Sequence, residues 1–282
     1  MLPGQPSQTL LRSAISRGQH QLFDSPLILD DPIVLTLVPE ARQPDILTEI
    51  GDPSEPFPTL LRALMAMRSR FAEERLAQAA ARGVRQYVII GAGLDTFPWR
   101  QPKFAADLRI FAVDHPVSLG WVQQRLRERR LGRPANLIHV PADLEREALG
   151  EQLKACGFDP EVPTFCSVLG VLHYLDQSAV DALLRFTAGL VVGSEIVLSF
   201  VADELLAGDD RDAVAQCLAR MDRLKEPWKY KRKPAELLDH LASLGFTDVF
   251  HLTPELAQRR YFANRTDQLR APRWEQLVAA VH

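Results

Sequence analysis

From Gly83 onward short β-rich runs alternate with helical stretches, and this alternation limits the fold more than any other feature of the chain. The run 87–90 ends in a glycine turn, and further strands are expected at 108–113, 136–140, 164–168 and 195–201. Helical patterns at 118–130, 145–156 and 178–187 separate them, with Ser118 standing where a helix cap is expected. Strands separated by helices cannot pair as hairpins, so the expected product is an α/β fold, a mainly parallel sheet with helices on both faces. Upstream, residues 59–82 repeat Leu60, Leu64, Met67 and Phe71 at helical spacing and stop before Gly83. The Pro- and acid-rich stretch 39–58 reads as a surface connection. Residues 203–233 are polar, charged and helical in pattern, and interrupt the alternation as an insertion or lid. A helix at 235–243 follows, and 248–252 and 260–263 are expected to pair as terminal strands. The expected organisation is a single domain: a cap over 1–58, a ligand-binding core over 59–202, the lid over 203–233 and the rest of the core over 234–282.

An open sheet of this kind binds ligands outside the carboxyl ends of its strands, near the point where strand order reverses. The first strand ends in Gly91-Ala-Gly93-Leu-Asp95, the second in Asp114, and the third is followed by Asp143-Leu144. Three consecutive strands therefore deliver a carboxylate to one edge. Asp114 follows Gly91 at roughly the 20-residue separation from which an acid reaches a ribose hydroxyl. A Gly-x-Gly turn alone can be no more than a tight turn, and the rest of the loop narrows the choice. A dinucleotide fingerprint places Gly or Ala where this chain has Thr96. Asp95 would set a negative charge beside a pyrophosphate seated on the helix amino terminus. An acidic loop suits a ligand that carries a sulfonium and an amino group and no phosphate, which favours S-adenosylmethionine over NAD.

The helix before the first strand adds a positive group. Arg68 shares a face with Leu64 and Phe71, while Arg70 points away, toward Glu73 or Glu74. An Arg so flanked either snorkels to solvent or, near the sheet edge, clamps a carboxylate bidentately.

Several ordered motifs together resemble the leucine carboxyl methyltransferase family, over about Thr9 to Arg270. They are Arg68-Ser-Arg-Phe71, the run from Gly83 through Gly91-Ala-Gly-Leu-Asp-Thr96, Val113-Asp-His-Pro116, Val140-Pro-Ala-Asp-Leu144, and Pro163-Thr-Phe165 leading to Gly170-Val-Leu-His-Tyr174. The resemblance implies a class I methyltransferase of Rossmann-like architecture, with a mainly parallel seven-stranded sheet and a helical lid. It implies an S-adenosylmethionine-dependent O-methyltransferase of the bacterial branch, many of whose members act on secondary metabolites. By the same resemblance Arg68 binds the methionine carboxylate, and Gly91 and Gly93 let the backbone approach the cofactor. Asp114 holds the ribose hydroxyls, Asp143 accepts from the adenine amino group, and Leu144 presents its N–H to the ring. Eukaryotic members carry a Glu where this chain aligns Leu169, so that contact is expected to be absent or supplied elsewhere.

Methyl transfer from a sulfonium needs an acceptor oxygen in line with the methyl carbon. A carboxylate acceptor needs no base, whereas a hydroxyl acceptor does, and His115, His173 and Tyr174 lie close to the expected site. His173 and Tyr174 are the catalytic candidates, with core packing as the competing reading for both and a turn role for His115. Arg125 to Arg133 reads as a solvated helix face. The run Trp228-Lys-Tyr-Lys-Arg-Lys233 mixes aromatics with cations, as a nucleic-acid groove does, or attracts an anionic substrate to the lid. The net charge of -3 argues against nucleic acid and anionic membranes as partners. No apolar run approaches the ~20 residues of a membrane helix. The amino terminus lacks signal-peptide features. Cys156, Cys166 and Cys217 are too scattered for a disulfide framework or a zinc site, so reduced, buried thiols, no metal and a cytoplasmic location are expected. The expected partner is a small-molecule acceptor. A non-catalytic binder of the same fold and a nicotinamide-dependent oxidoreductase are the alternatives, the latter disfavoured by Asp95 and Thr96.

Overall fold

The computed structural model describes residues 7–42, 52, 54–203 and 210–282. Helices α1 (Gln8–Phe23), α2 (Pro32–Leu37) and α3 (Pro56–Ala81) precede the first strand. Helix α3 starts ahead of the apolar repeat because Pro56 and Pro58 fit its first turn, where a missing N–H breaks no helical bond. It stops before Gly83, whose φ of +110° a side chain would disfavour. Of the expected connection over 39–58, residues 43–51 and 53 lie outside the described residues.

Strands β1 (Gln86–Ile90), β2 (Arg109–Asp114), β3 (Leu137–Pro141), β4 (Thr164–Val168), β5 (Glu195–Val201), β6 (Asp248–Leu252) and β7 (Glu275–Val281) form one sheet. Its order is β3-β2-β1-β4-β5-β7-β6. Strands β1 to β5 are mutually parallel, and β7 lies antiparallel between β5 and β6. Strand order reverses between β1 and β4, which puts the glycine turn at the switch point.

Side chains of β1 alternate between two dry cores, so both faces of the sheet are apolar and the strand reads as a continuous hydrophobic run. Tyr87 and Ile89 pack with Leu64, Phe71 and Leu76 of α3, and with α8 (Arg211–Leu224) and α10 (Pro254–Tyr261) on the same side. Val88 and Ile90 pack with Leu153 of α6 (Leu149–Ala155), Leu183 of α7 (Gln177–Ala188) and Leu241 of α9 (Pro234–Ser243). Each buried Leu contributes about 1.5–3 kcal/mol before entropy is charged against it. A third cluster joins Ile15 of α1, Val34 and Leu37 of α2, and Val122 and Leu126 of α5 (Pro116–Glu128) to Leu94 of the glycine loop. The amino-terminal helices thereby rest on the loop that follows β1.

Four expectations are corrected. The partner of β6 is β7, whereas 260–263 ends helix α10, which Pro254 starts and the Thr253 side chain caps by accepting from Leu256 N–H at 3.3 Å. Helix α5 begins at Pro116 with His115 as its cap, Nδ1 accepting from Val117 N–H at 3.2 Å, so Ser118 lies inside the helix. Helix α6 begins at Leu149 and not near Glu145, because Asp143 and Glu147 hold the intervening residues in a turn. Among the described residues of 203–233 the helix is α8; the part after it is not helical, and Arg232 there bridges Ala202, while 204–209 lie outside the described residues. Among the described residues no helix is long and apolar enough to cross a membrane.

Candidate active site

The turn after β1 is fixed by its backbone. Gly91 and Gly93 have φ of +71° and +50°, and the N–H groups of Gly91 and Ala92 both donate to the Val113 carbonyl on β2 at 2.9 Å. A Cβ on Gly91 would overlap Cγ2 of Val171, and one on Gly93 would lie 3.3 Å from Cγ of Leu10. Both glycines therefore serve close approach as well as conformation.

Each acid of the edge is held by nearby backbone. Asp114 accepts from Gly93 N–H and from His115 N–H, both at 2.7 Å. Burial raises its carboxyl above the usual range, against the lowering effect of those N–H groups and of the Ser118 hydroxyl. A carboxylate offers about four acceptor sites, so two N–H groups and the Ser118 hydroxyl leave capacity for one more donor. Asp95 accepts at 2.8 Å from the N–H of Phe97, the first residue of the short helix α4 (Phe97–Arg100). Asp143 accepts from Glu145 N–H at 3.1 Å and stands 4.0 Å from Nε2 of His115.

Behind the loop lies a buried polar cluster. Asp31, fully buried, accepts from the Thr96 hydroxyl at 2.6 Å and pairs with Arg17 and Arg100. Arg17 also donates to the Leu94 carbonyl, and Arg100 pairs with Glu73. Thr96, the residue that breaks the dinucleotide fingerprint, is thus a hydrogen-bond donor to the amino-terminal cap.

One cavity of about 380 Å³ opens along this edge. Gly91, Gly93 and Asp95 line it from the β1 loop, Asp114 from β2, and Asp143 and Leu144 from the turn after β3. Arg68, His173 and Tyr174 line it from the other side. Arg68 turns inward and does not snorkel out to bulk solvent. Its side chain is 12% exposed, lies against Gly170 and pairs with Glu275 of β7 at 3.3 Å. Arg70 turns away and pairs with Glu74 at 2.6 Å.

His173 is buried, its carbonyl accepts from Lys229 N–H at 2.7 Å, and its Nδ1 has no hydrogen-bond partner among the described residues. Burial pushes its pKa down to about 4, so the ring is neutral near pH 7. Its ring centroid lies 4.2 Å from that of Tyr174 and 5.1 Å from that of Trp228. The Tyr174 hydroxyl donates to Sδ of Met221 at 3.6 Å, and burial raises the phenol pKa well above its ordinary value. His115 caps α5, as a turn residue would.

The remaining wall comes from far along the chain: Ser7 and Thr9 before and within α1, Cys217 and Met221 of α8, and residues 225–229. Glu226, 7% exposed, accepts from the Ser7 hydroxyl at 3.2 Å and from Thr9 N–H at 3.4 Å. The basic run beyond it is matched locally: Lys229 pairs with Glu145, Arg232 lies over Tyr230, and Lys233 reaches Glu236. Arg125 departs from the expected solvated face by pairing with Glu40, while Arg127, Arg130 and Arg133 are exposed. Cys166 and Cys217 are buried and Cys156 is half-buried; all are free thiols. Among the described residues no cluster of three or more His, Cys, Asp or Glu could hold a metal.

Sequence reading missed Glu275, Glu226 and Asp31. Only the packing of distant segments reveals each of these acids as buried.

Known proteins match this chain in sequence and in fold. The sequence profile described as leucine carboxyl methyltransferase matches residues 10–188. A Bacillus subtilis (strain 168) protein named as an S-adenosyl-L-methionine-dependent methyltransferase, YktD, is 29% identical over 96% of this chain and 96% of its own. A Mycobacterium avium (strain 104) protein named the same way is 32% identical over 86% of this chain and 77% of its own. The fold matches the crystal structure of a DUF574 family protein from Streptomyces avermitilis, with a TM-score of 0.61 at 18% identity and 96% of both chains covered. The chain belongs to the leucine carboxyl methyltransferase family, a family of methyltransferases with the class I fold.

Proposed function

We propose that this enzyme transfers a methyl group from S-adenosylmethionine to an oxygen of a small acceptor, a carboxylate or a hydroxyl, held beside His173 and Tyr174. The observation that carries the reading is a single cavity with an acid-lined sheet edge at one end and aromatic and sulfur-bearing walls at the other. The donor set fits the cofactor. The glycine turn offers close backbone approach, Asp114 keeps acceptor capacity for a ribose hydroxyl, and Asp143 and Leu144 flank the space for adenine. Arg68 offers a guanidinium to the methionine carboxylate. S-adenosylmethionine brings an activated methyl group and its own leaving group.

The protein's contribution is then alignment and exclusion of water, effects that together contribute roughly 7–11 kcal/mol when the reacting atoms are well oriented. Tyr174 and Trp228 form an aromatic wall against which an acceptor is oriented. The neutral His173 offers a ring nitrogen to the acceptor oxygen. Because its basicity is low, an acceptor that is already ionised asks least of it. The described residues of 1–58 and 203–233 act as caps over the acceptor end within one domain.

The test compares thermal unfolding with S-adenosylmethionine, S-adenosylhomocysteine and NAD, then screens methyl transfer to small carboxylic acids and phenols. A ligand at 100 times its Kd stabilises by about 2.7 kcal/mol. Stabilisation by NAD alone would overturn the cofactor reading. Stabilisation by S-adenosylmethionine without transfer to any acceptor would make the protein a binder of the same fold. In the enzyme, Tyr174→Phe should lower kcat about tenfold, the loss of one hydrogen bond in the transition state, with cofactor affinity intact.

A further inference from the structure

The acids of the sheet edge end at β1, since Leu169 follows β4 where another could stand. The edge regains a carboxylate from the opposite chain direction. Strand β7 is antiparallel to β5, so its first residue, Glu275, pairs with Val201, the last residue of β5, and lies at the same edge. The Glu275 side chain is 3% exposed and reaches the cavity wall, with Oε1 3.3 Å from Nη1 of Arg68. Arg68 rests on Gly170, and the neighbouring Val171 fills the space a Cβ on Gly91 would need. The ion pair therefore adjoins the glycine turn through one layer of contact.

A guanidinium has five N–H donors and a carboxylate about four acceptor sites, and the bond between Arg68 and Glu275 uses one of each. Both groups face the same cavity with capacity to spare. A buried ion pair adds little stability of its own, because desolvation offsets the attraction. As a pair of binding groups it has a clear complement, a zwitterion whose two charges stand on one carbon.

We propose that Arg68 and Glu275 form a two-charge receptor for the amino-acid end of the cofactor, with Arg68 taking the carboxylate and Glu275 the ammonium. The assignment rests on the cofactor reading above, and Glu275 lies beyond residues 10–188, which match the family. In the free protein each charge neutralises the other, so neither is left buried and unpaired.

The experiment is calorimetric titration of wild type, Glu275→Gln and Arg68→Gln with three nucleosides. These are S-adenosylhomocysteine, its deaminated analogue that keeps the carboxylate, and 5′-methylthioadenosine, which lacks both groups. Glu275→Gln should bind S-adenosylhomocysteine about 10- to 100-fold more weakly, the worth of a charge-assisted hydrogen bond, and bind the other two as wild type does. Arg68→Gln should weaken the deaminated analogue as well. Retained binding of 5′-methylthioadenosine reports an intact fold. Equal weakening of the deaminated analogue in Glu275→Gln would mean that Glu275 acts only through Arg68 and would overturn the ammonium assignment. Undiminished S-adenosylhomocysteine binding in Glu275→Gln would overturn it too, with the cofactor reading untouched. A wild-type protein that binds none of the three would overturn the cofactor reading and this assignment with it.

Discussion

The two ends of the cavity are assembled from contacts of very different reach along the chain. At the sheet edge, Asp95, Asp114 and Asp143 each accept from an N–H one or two residues ahead, and the glycine turn is bonded to the adjacent strand. At the other end the wall closes through Ser7 and Thr9 on Glu226. Those partners lie more than 200 residues apart. Backbone-held groups keep their geometry as long as the sheet is folded. A cap joined by side chains from distant segments can open without global unfolding. On the function proposed above, this difference makes the sheet edge a fixed cofactor end and the opposite wall a releasable acceptor end.

The largest effect expected is at the turn. Gly91→Ala forces an L-residue into a left-handed conformation, at about 1–2 kcal/mol, and drives its Cβ into Val171, at about 1–3 kcal/mol more. Binding of S-adenosylhomocysteine should fall by about 100-fold or more, as 1.4 kcal/mol is tenfold. Gly120→Ala is the matched control, for a Cβ there meets nothing within 4 Å and a helical Gly→Ala change gains about 0.5–1 kcal/mol. Equal binding by both variants would break the picture of a closely approached turn.

The same contrast explains what could be read from sequence. The order of strands and helices through β5, the acids of the edge and the glycine turn were legible because each depends on residues a few positions apart. Arg68 was legible as a candidate through its helical register with Leu64 and Phe71, although its partner was not. The terminal strand was misplaced because 260–263 is apolar enough for either state, and only the cap at Thr253 and the pairing of β7 with β5 decide it. Asp31 has the local signature of a helix cap, standing before Pro32 and accepting from Val34 N–H, but nothing local marks Asp31, Glu226 or Glu275 as buried. Their burial is a property of segments brought together by the fold, and their charges look like surface charges until that packing is known.

A middle-sized effect is expected where the two ends meet. Burial, the largest influence, holds His173 near pKa 4 against an ordinary 6.5, with Glu275 raising it and Arg68 lowering it. A depressed pKa in a base means that the unfolded chain takes up the proton first as pH falls. The stability tied to neutral His173 is therefore complete above about pH 6.5 and is lost progressively toward pH 4. Urea unfolding of the wild type should weaken by about 2 kcal/mol more than that of His173→Gln between pH 7 and pH 5. Parallel pH profiles for the two proteins would show that the imidazole is not held neutral by its site.

The smallest effect is expected from Glu226→Gln, and it tests the division of the cavity most directly. Glu226 ties the start of α1 to the stretch after α8 by accepting from the Ser7 hydroxyl and Thr9 N–H. Gln keeps one acceptor oxygen and removes the charge, so the loss should be about 1 kcal/mol, the difference between a charged and a neutral hydrogen bond. Helix α1 has a second, separate attachment to the cofactor loop, where Arg17 donates to the Leu94 carbonyl and pairs with the buried Asp31. Loosening the Glu226 end should leave that attachment in place. Acceptor KM should then rise about fivefold, the kinetic equivalent of 1 kcal/mol, while calorimetric affinity for S-adenosylhomocysteine stays within error. The opposite outcome, a weaker cofactor and an unchanged acceptor KM, would show that α1 is one rigid part of the cofactor site. The two ends of the cavity would then open and close together.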